Sequence, residues 1–463
     1  MIRLLNAYFP TRTFFLGVSE ACLIALAFVA ATVVRLGETD ASVMLSYEQG
    51  FLKIFILSAA FIVCMYYFDL YDSSILSNRR EVLTRLVQVL GTVSILLACL
   101  YYVYPPLELG RGIFLIGLAM VAVILMLWRR LFLAINSLPK FAERVVIFGD
   151  APLARRLSDE LGARPELGLR IVGHISEDVA ESGEPPYAVG PTRADLARLV
   201  ESERASRIIL AMGERRGRLP VEQLLRLKNR GVVVQDGADL YEAVSGKVPY
   251  ESLRLGRLLF STGIETSRLT LAFKRGTSFL ISALGLLIAL PLIPFIAAAI
   301  KLNSVGPVFY KQKRVGLDGN VFDCFKFRTM RANAEADTGP TFATDDDPRV
   351  TFVGRFLRVS RLDEVPQLWN VLKGDINLVG PRPERPNFVD RFNREIPWYH
   401  LRHSIPPGIT GWAQVRYGYG NSLEDAKQKL GYDLFYIKNM SQGLDLLILF
   451  ETVKIILLGR GAK

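Results

Sequence analysis

Adjacent carboxylates, Asp363 and Glu364, lie in the run RLDEVPQLWNVLKGDINLVGPRPE, amid basic residues and ahead of a proline-broken turn, Gly380-Pro381-Arg382-Pro383. An acidic pair alone is usually a solvated surface feature. Here Arg355, Arg358 and Arg361 stand upstream, and FDCFKFRTM (322–330) alternates apolar positions with Lys326 and Arg328, a strand pattern that sends both cations to one face. Cations beside a carboxylate pair depress its pKa and keep it ionised, and Arg grips phosphate oxygens in a bidentate fork. Together these residues point to phosphate chemistry in which an ionised Asp attacks phosphorus.

The elements that must position them begin at a membrane. The 463 residues leave room for two or three domains, and they are 51% hydrophobic yet 22% charged, with a net charge of +11. That mixture implies spans joined to soluble domains, with excess Lys and Arg near anionic lipid and anionic substrates. Apolar runs at about 13–34, 51–69, 86–104 and 113–128 each approach the ~20 residues that cross hydrocarbon. The first lacks a small-residue cleavage site and is followed by further spans, so it reads as an anchor. Arg3 and Arg12 precede the first run, Arg79, Arg80 and Arg85 the third, and Arg129, Arg130, Lys140 and Arg144 follow the fourth, which places both ends of a four-helix bundle (1–135) in the cytoplasm. Of the four cysteines, Cys22, Cys64 and Cys99 fall inside apolar runs, and none forms a C-x-x-C pair, which argues against a disulfide framework or zinc. His174, His400 and His403 are too few for a histidine metal site.

From Arg144 the pattern changes to RVVIFGDAPLARRLSDEL, then LRIVGHI, RIILAM and GVVVQDG, strands alternating with helices as in a parallel α/β sheet. This middle domain (136–265) reads as Rossmann-like. Its turn, Gly149-x-Ala151-x-x-Ala154, keeps only the first Gly of the dinucleotide fingerprint, so a structural or regulatory module is favoured over a nucleotide site at Gly149. A third domain (266–463) opens with an apolar stretch, 276–300, long enough to span. Cations flank both of its sides, Lys274 and Arg275 before and Lys301, Lys311, Lys313 and Arg314 after, where a crossing should be asymmetric. Pro291 and Pro294 bend it in mid-run. The expectation is a re-entrant helix that enters and leaves by the cytoplasmic leaflet.

The stretches GPVFYKQKRVGLDGNVFDCFKFRTM (306–330), DPRVTFVGRFLRVSRLDEVPQLWNVLKGDINLVGPRPE (347–384), PGITGWAQV (407–415) and YDLFYIKNMSQGLDLLILFETV (432–453) resemble the bacterial sugar transferases, the polyprenyl-phosphate sugar-1-phosphate transferases. LYEAVSGKVPYESL (240–253) is similar to the linker of that family's long, four-span branch. The resemblance implies a membrane α-helical bundle, a Rossmann-like α/β domain and a mixed α/β catalytic domain with a re-entrant membrane helix. It further implies that Asp363 is a nucleophile displacing UMP from a UDP-sugar to form an aspartyl phosphosugar, which undecaprenyl phosphate then attacks. Glu364 would help hold Mg²⁺. Arg358 and Arg382 would bind phosphate oxygens, Lys326, Arg328 and Arg314 would extend the basic wall, and Gln367, Asn370 and Asp375 stand as supporting partners or as residues satisfying buried backbone. The expected setting is the bacterial inner membrane, with the catalytic domain on the cytoplasmic face and with membrane lipid, UDP-sugar and undecaprenyl phosphate as partners. A homodimer is compatible with the helical surfaces; nucleic acid is not called for.

Three points stay open in the sequence. Asp345-Asp346-Asp347 offers an Asp-x-Asp pair for Mg-nucleotide, set against a solvated loop or a lid over 331–346. Many relatives read Val-Asn-Gly where this chain has Val415-Arg416-Tyr417-Gly418-Tyr419-Gly420, a form similar to the exosortase-associated exopolysaccharide branch, and this leaves the sugar undecided, with glucose or galactose ahead of an N-acetylated sugar by resemblance. The helical pattern from Tyr432 to Leu458 fits a core helix, an interfacial helix or a dimer contact. A rival reading, a membrane-bound nucleotide-sugar dehydratase or epimerase, needs a full Gly-rich fingerprint and a Tyr-x-x-x-Lys pair, and none of the 17 tyrosines has Lys four residues on. A second rival, a non-catalytic membrane scaffold, predicts erosion of the acids or of the Arg set. All are intact.

Overall fold

The computed structural model describes residues 1–76, 78–136, 142–149, 152–175, 196–213, 219–249, 268–332, 334, 347–418, 420 and 422–459. It divides into two compact units, Met1–Ile2 with Tyr8–Gly237, and Arg3–Ala7 with Ala238–Lys463.

The first unit starts with α1 (Thr11–Leu36), α2 (Glu38–Tyr47), α3 (Gly50–Tyr67), α4 (Arg79–Val103) and α5 (Arg111–Asn136). Helices α1, α3, α4 and α5 are long and apolar enough to cross a membrane and match the four apolar runs. Phe28, Leu57, Phe61, Val93 and Val121 pack between them, while Leu26, Phe55, Ile95 and Leu127 stand exposed, as expected of helices solvated by lipid. A Cβ at Gly117 would strike the Phe28 ring, so the missing side chain is what lets α5 lie close against α1. One cation counted toward topology is not solvated: Arg129 donates from Nε to Glu20 Oε1 at 2.6 Å, from NH2 to Glu20 Oε2 at 3.0 Å and from NH1 to Leu70 O at 2.9 Å.

Next come β1 (Glu143–Phe148), α6 (Pro152–Ala163), β2 (Leu169–Ile175), α7 (Leu196–Ser202), β3 (Arg207–Leu210), α8 (Val221–Asn229) and β4 (Val233–Asp236). They form a four-stranded parallel sheet in the order β2-β1-β3-β4. Val145, Val146, Ile147 and Phe148 are fully buried, the unbroken apolar run of a strand covered on both faces. Gly149 ends β1 at φ +123°, and a Cβ there would strike the Ala211–Met212 backbone, so close packing alone accounts for the glycine. His174 Nε2 caps the Gly149 carbonyl at 2.6 Å. Ala151 lies outside the described residues.

The second unit holds nearly all of α9 (Gly237–Ser245) together with α10 (Arg268–Ala289), α11 (Ile293–Asn303) and an antiparallel hairpin of β5 (Phe309–Val315) and β6 (Val321–Phe327). There follow α12 (Phe352–Val359), a tight turn Leu362–Glu364, α13 (Gln367–Lys373), β7 (Asn377–Val379), α14 (Pro386–Glu395), a turn Tyr399–His403 and β8 (Gly408–Thr410), which pairs in parallel with β7. The unit ends with α15 (Trp412–Arg416), α16 (Leu423–Asn439) and α17 (Gln442–Leu457). Residues 238–249 pack within this unit: Lys438 Nζ holds Glu242 at 2.7 Å, Trp412 Nε1 holds Gly246 O at 2.9 Å and Val248 N holds Gly431 O at 3.0 Å. One sequence expectation is corrected here. The pattern from Tyr432 to Leu458 is two helices, broken where Ser441 caps α17 through Leu444 N.

The apolar stretch near 276–300 is a helix, a break and a second helix. The break is a turn over 290–292 that contains Pro291, and Pro294 sits in the first turn of α11, where its missing N–H has no helical partner to lose.

Candidate active site

Helix α12 stops at Ser360, and Arg361 takes a left-handed conformation at φ +57°, which turns the chain so that Asp363 and Glu364 point inward from a single tight turn. Asp363 is 8% exposed. Lys326, on β6, reaches this turn: its Nζ lies 2.9 Å from Glu364 Oε1 and 4.0 Å from Asp363 Oδ2. Arg382 NH2 donates to the same Glu364 Oε1 at 2.7 Å. Both cations fall on one oxygen, and Glu364 Oε2 has no hydrogen-bond partner among the described residues.

The two acids are therefore unequal. The Arg382 and Lys326 charges hold Glu364 well below the usual carboxylate range despite its burial. Burial pushes Asp363 up, and Lys326, at the edge of ion-pair range, pulls back against it. Among the described residues Asp363 accepts no hydrogen bond. Glu364 is locked, whereas the Asp363 carboxylate is uncommitted.

Of the remaining predicted cations, Arg358 donates Nε to Thr329 Oγ1 at 3.0 Å, and its two terminal nitrogens have no described partner. Arg328 is a correction. Strand β6 ends at Phe327, so the alternation that would set Arg328 beside Lys326 stops one residue short. Its guanidinium instead donates to Ser304 O at 2.7 Å and Val305 O at 3.0 Å, closing the C-terminal end of α11. Arg314 is likewise spent on structure: NH1 donates to Pro383 O at 2.8 Å, NH2 to Gln312 Oε1 at 2.5 Å, and Glu384 pairs with it at 3.5 Å. Burial pushes its guanidinium down, an effect Glu384 offsets.

Asn370 satisfies backbone, taking Phe325 N at 3.0 Å on Oδ1 and giving Nδ2 to Asp323 O at 2.7 Å, with Asp375 Oδ2 at 2.9 Å; it staples α13 to β6 and so fixes Lys326 relative to the acid turn. Gln367 is 3% exposed, and its amide makes no hydrogen bond to a described residue. Asp345 and Asp346, with most of the suggested lid, lie outside the described residues. Asp347 is committed to Arg349, at 2.8 Å from Nε and 2.6 Å from NH2, which holds it below its ordinary value. Among the described residues no group of three or more His, Cys, Asp or Glu could by itself hold a metal ion.

Sequence reasoning missed Arg402. It is buried on the turn Tyr399–His403, pairs with Asp433 and holds the Arg382 carbonyl at 3.0 Å. The available signal was Asp433 itself, a carboxylate in the apolar run YDLFYI that had to find a cation.

Comparison with known proteins adds to this geometry. Residues 269–459 match the family described as bacterial sugar transferase, and residues 66–233 match one described as a CoA-binding domain. A UDP-N-acetylgalactosamine-undecaprenyl-phosphate N-acetylgalactosaminephosphotransferase from Aeromonas hydrophila is 45% identical over 225 residues, covering 48% of this chain and 52% of that protein. A UDP-glucose:undecaprenyl-phosphate glucose-1-phosphate transferase from Xanthomonas campestris pv. campestris is 34% identical over 327 residues, 67% of this chain and 66% of that protein. A Bacillus subtilis (strain 168) relative is 46% identical over 143 residues, 31% of this chain and 79% of that protein. The chain thus spans from about half (52%) to just under two thirds (66%) of the first two relatives.

Proposed function

The chain belongs to the bacterial sugar transferase family, and from that premise we propose that it moves a sugar 1-phosphate from a UDP-sugar onto undecaprenyl phosphate through a covalent intermediate on Asp363. The observation that carries this reading is the division of labour in the acid pair, an ion-paired Glu364 beside a buried Asp363 that accepts no hydrogen bond among the described residues. An Asp363 oxygen attacks the phosphorus that bears the sugar; the P–O bond to UMP breaks, and UMP leaves with the bridging oxygen and its electron pair. A phosphate oxygen of the lipid then attacks the same phosphorus, forming the diphosphate link and returning the Asp363 carboxylate. The terminal nitrogens of Arg358 and the guanidinium of Arg382 meet the phosphate charge.

Glu364 Oε2 and Asp363 together give a donor set that fits Mg²⁺, which takes one or two carboxylates and completes its shell with substrate phosphate and water. The ion would supply charge neutralisation of the diphosphate.

The setting we propose is a cytoplasmic membrane, with α10 and α11 dipping into the inner leaflet and returning. Support comes from the two ends of this helical pair, which are tied to the same unit: Lys274 Nζ to Asp445 at 2.6 Å and Arg275 NH2 to Leu372 O at 3.0 Å at the entrance, Arg328 to Ser304 at the exit. Leu284, Leu287, Ile288 and Phe295 between them are exposed. Cysteines placed on either flank should label from the cytoplasmic side; labelling of one flank from the opposite side would replace the re-entrant path with a crossing.

The function is tested by nucleotide release. Purified protein with Mg²⁺ and a panel of UDP-sugars should release at most one enzyme equivalent of UMP by itself, and should turn over beyond that only when undecaprenyl phosphate is added. Release of UDP would mark an ordinary glycosyltransferase, and absence of any nucleotide product would return the chain to a scaffold. The donor that turns over fastest identifies the sugar.

A further inference from the structure

We propose that Arg402, held by Asp433, is a positioning residue that sets Arg382 against Glu364. The inference rests on the reading that Arg382 serves phosphate transfer.

In the turn Gly380-Pro381-Arg382-Pro383 two of the four residues have no N–H. Gly380 N donates to Thr410 O at 2.9 Å, and the three residues after it are held by their carbonyls. Gly408 N donates to Pro381 O at 3.0 Å, Arg402 NH2 to Arg382 O at 3.0 Å and Arg314 NH1 to Pro383 O at 2.8 Å, so three successive carbonyls each meet a donor. The middle grip acts on the residue whose side chain, in the other direction, reaches Glu364 Oε1 at 2.7 Å. Arg402 therefore fixes the backbone end of the lever whose guanidinium end pairs with the catalytic turn.

Arg402 is itself immobilised. It is 5% exposed, donates Nε to Asp433 Oδ2 at 3.0 Å and NH1 to Tyr399 Oη at 2.7 Å, and Asp433 is 1% exposed on the inner face of α16. One turn along that helix, the Tyr436 hydroxyl lies 3.5 Å from Val379 O, so α16 backs β7 and the turn after it at two points. A buried ion pair is a poor device for stability alone, since an apolar pair of similar volume usually folds as well or better. What an apolar pair cannot supply is a donor for a carbonyl in a dry site, and this is the contact Arg402 makes with Arg382.

The test is a double-mutant cycle against Arg382. Arg402→Met combined with Asp433→Leu removes the pair without stranding a charge, and Arg402→Lys keeps a cation opposite Asp433 while giving up the fork. In the otherwise wild-type protein either change should lower kcat by roughly 10- to 100-fold, the loss expected when a reacting group is misplaced by about an ångström, with a smaller change in KM and a near-native melting curve. In an Arg382→Ala background the same changes should have no further effect. Equal losses in both backgrounds would show a merely structural role, and no loss in the wild-type background would end the proposal outright. Calorimetric titration of the same proteins with UMP repeats the cycle without turnover, so a failure of the transfer assay itself indicts the proposed function and leaves the positioning claim to be judged on binding.

Discussion

Replacing Asp363 by Asn is expected to abolish transfer while leaving the protein at least as stable as before. The amide keeps the shape but cannot form the proposed acyl phosphate, and loss of the proposed nucleophile should cost about 10³-fold or more in kcat, some 4 kcal/mol of barrier. The stability half of the prediction follows from the sign of the shift. Burial raises the Asp363 pKa above its ordinary value, so above that raised value the folded state holds an ionised group it disfavours relative to the unfolded chain. Asn removes that charge, and the melting temperature at neutral pH should not fall. The same raised value sets the acid limb of the rate: turnover should decline as pH drops toward it, above the range of a free aspartate, while Glu364 stays ionised to much lower pH. Assay of lipid-dependent UMP release, paired with thermal unfolding, checks both halves. Substantial turnover by Asp363→Asn would move the nucleophile elsewhere, and a large fall in melting temperature would mean that the carboxylate is structural.

The acid pair and two of its cations, Lys326 and Arg382, were legible because their spacing carries physical meaning: a period of two on a strand and a proline-broken turn. The same period misplaced Arg328, since alternation says which face a residue takes but not where the strand ends. One residue beyond Phe327 the guanidinium closes a helix terminus instead of facing the acid turn. Arg314 failed for a different reason. A cation's charge is readable, but whether a carbonyl or a carboxylate has already claimed it is a property of distant chain, here Pro383 and Glu384. The four apolar spans and the parallel sheet were legible from length and periodicity. The packing of residues 238–249 was not, because a stretch similar to a linker is held in the second unit by distant chain, through Trp412, Gly431 and Lys438. The acids inside apolar helices were an unused signal. Asp433 and Asp445 each interrupt a hydrophobic run, and each finds a buried cation contributed by a different part of the chain, Arg402 and Lys274.

The second of these pairs sets the other large expectation. Lys274 is 3% exposed in the second turn of α10, its ammonium donates to the Tyr436 hydroxyl and lies 2.6 Å from Asp445 Oδ2, and Tyr436 Oη donates to Asp445 Oδ1 at 2.5 Å. The three groups form a closed ring joining α10 to α16 and α17. Lys274→Met leaves a partly buried carboxylate facing only a hydroxyl, and the cost of breaking such a pair is about 3–5 kcal/mol. For a unit of this size that corresponds to a fall in melting temperature of roughly 10 °C. Adding Asp445→Leu removes the stranded charge and should recover most of the loss, because the desolvation penalty of both ions disappears with them. Thermal unfolding of the protein in detergent or lipid discs reads both steps. If the single change costs nothing, the ring is not the seat of the helix, and the whole load would rest on Arg275, which donates to Val371 O at 2.5 Å and Leu372 O at 3.0 Å at the end of α13. If the double change recovers stability but not transfer, the ring serves the reaction through the seating of α10 against α13, which follows the acid turn. Recovery of both would make it a stabilising contact alone.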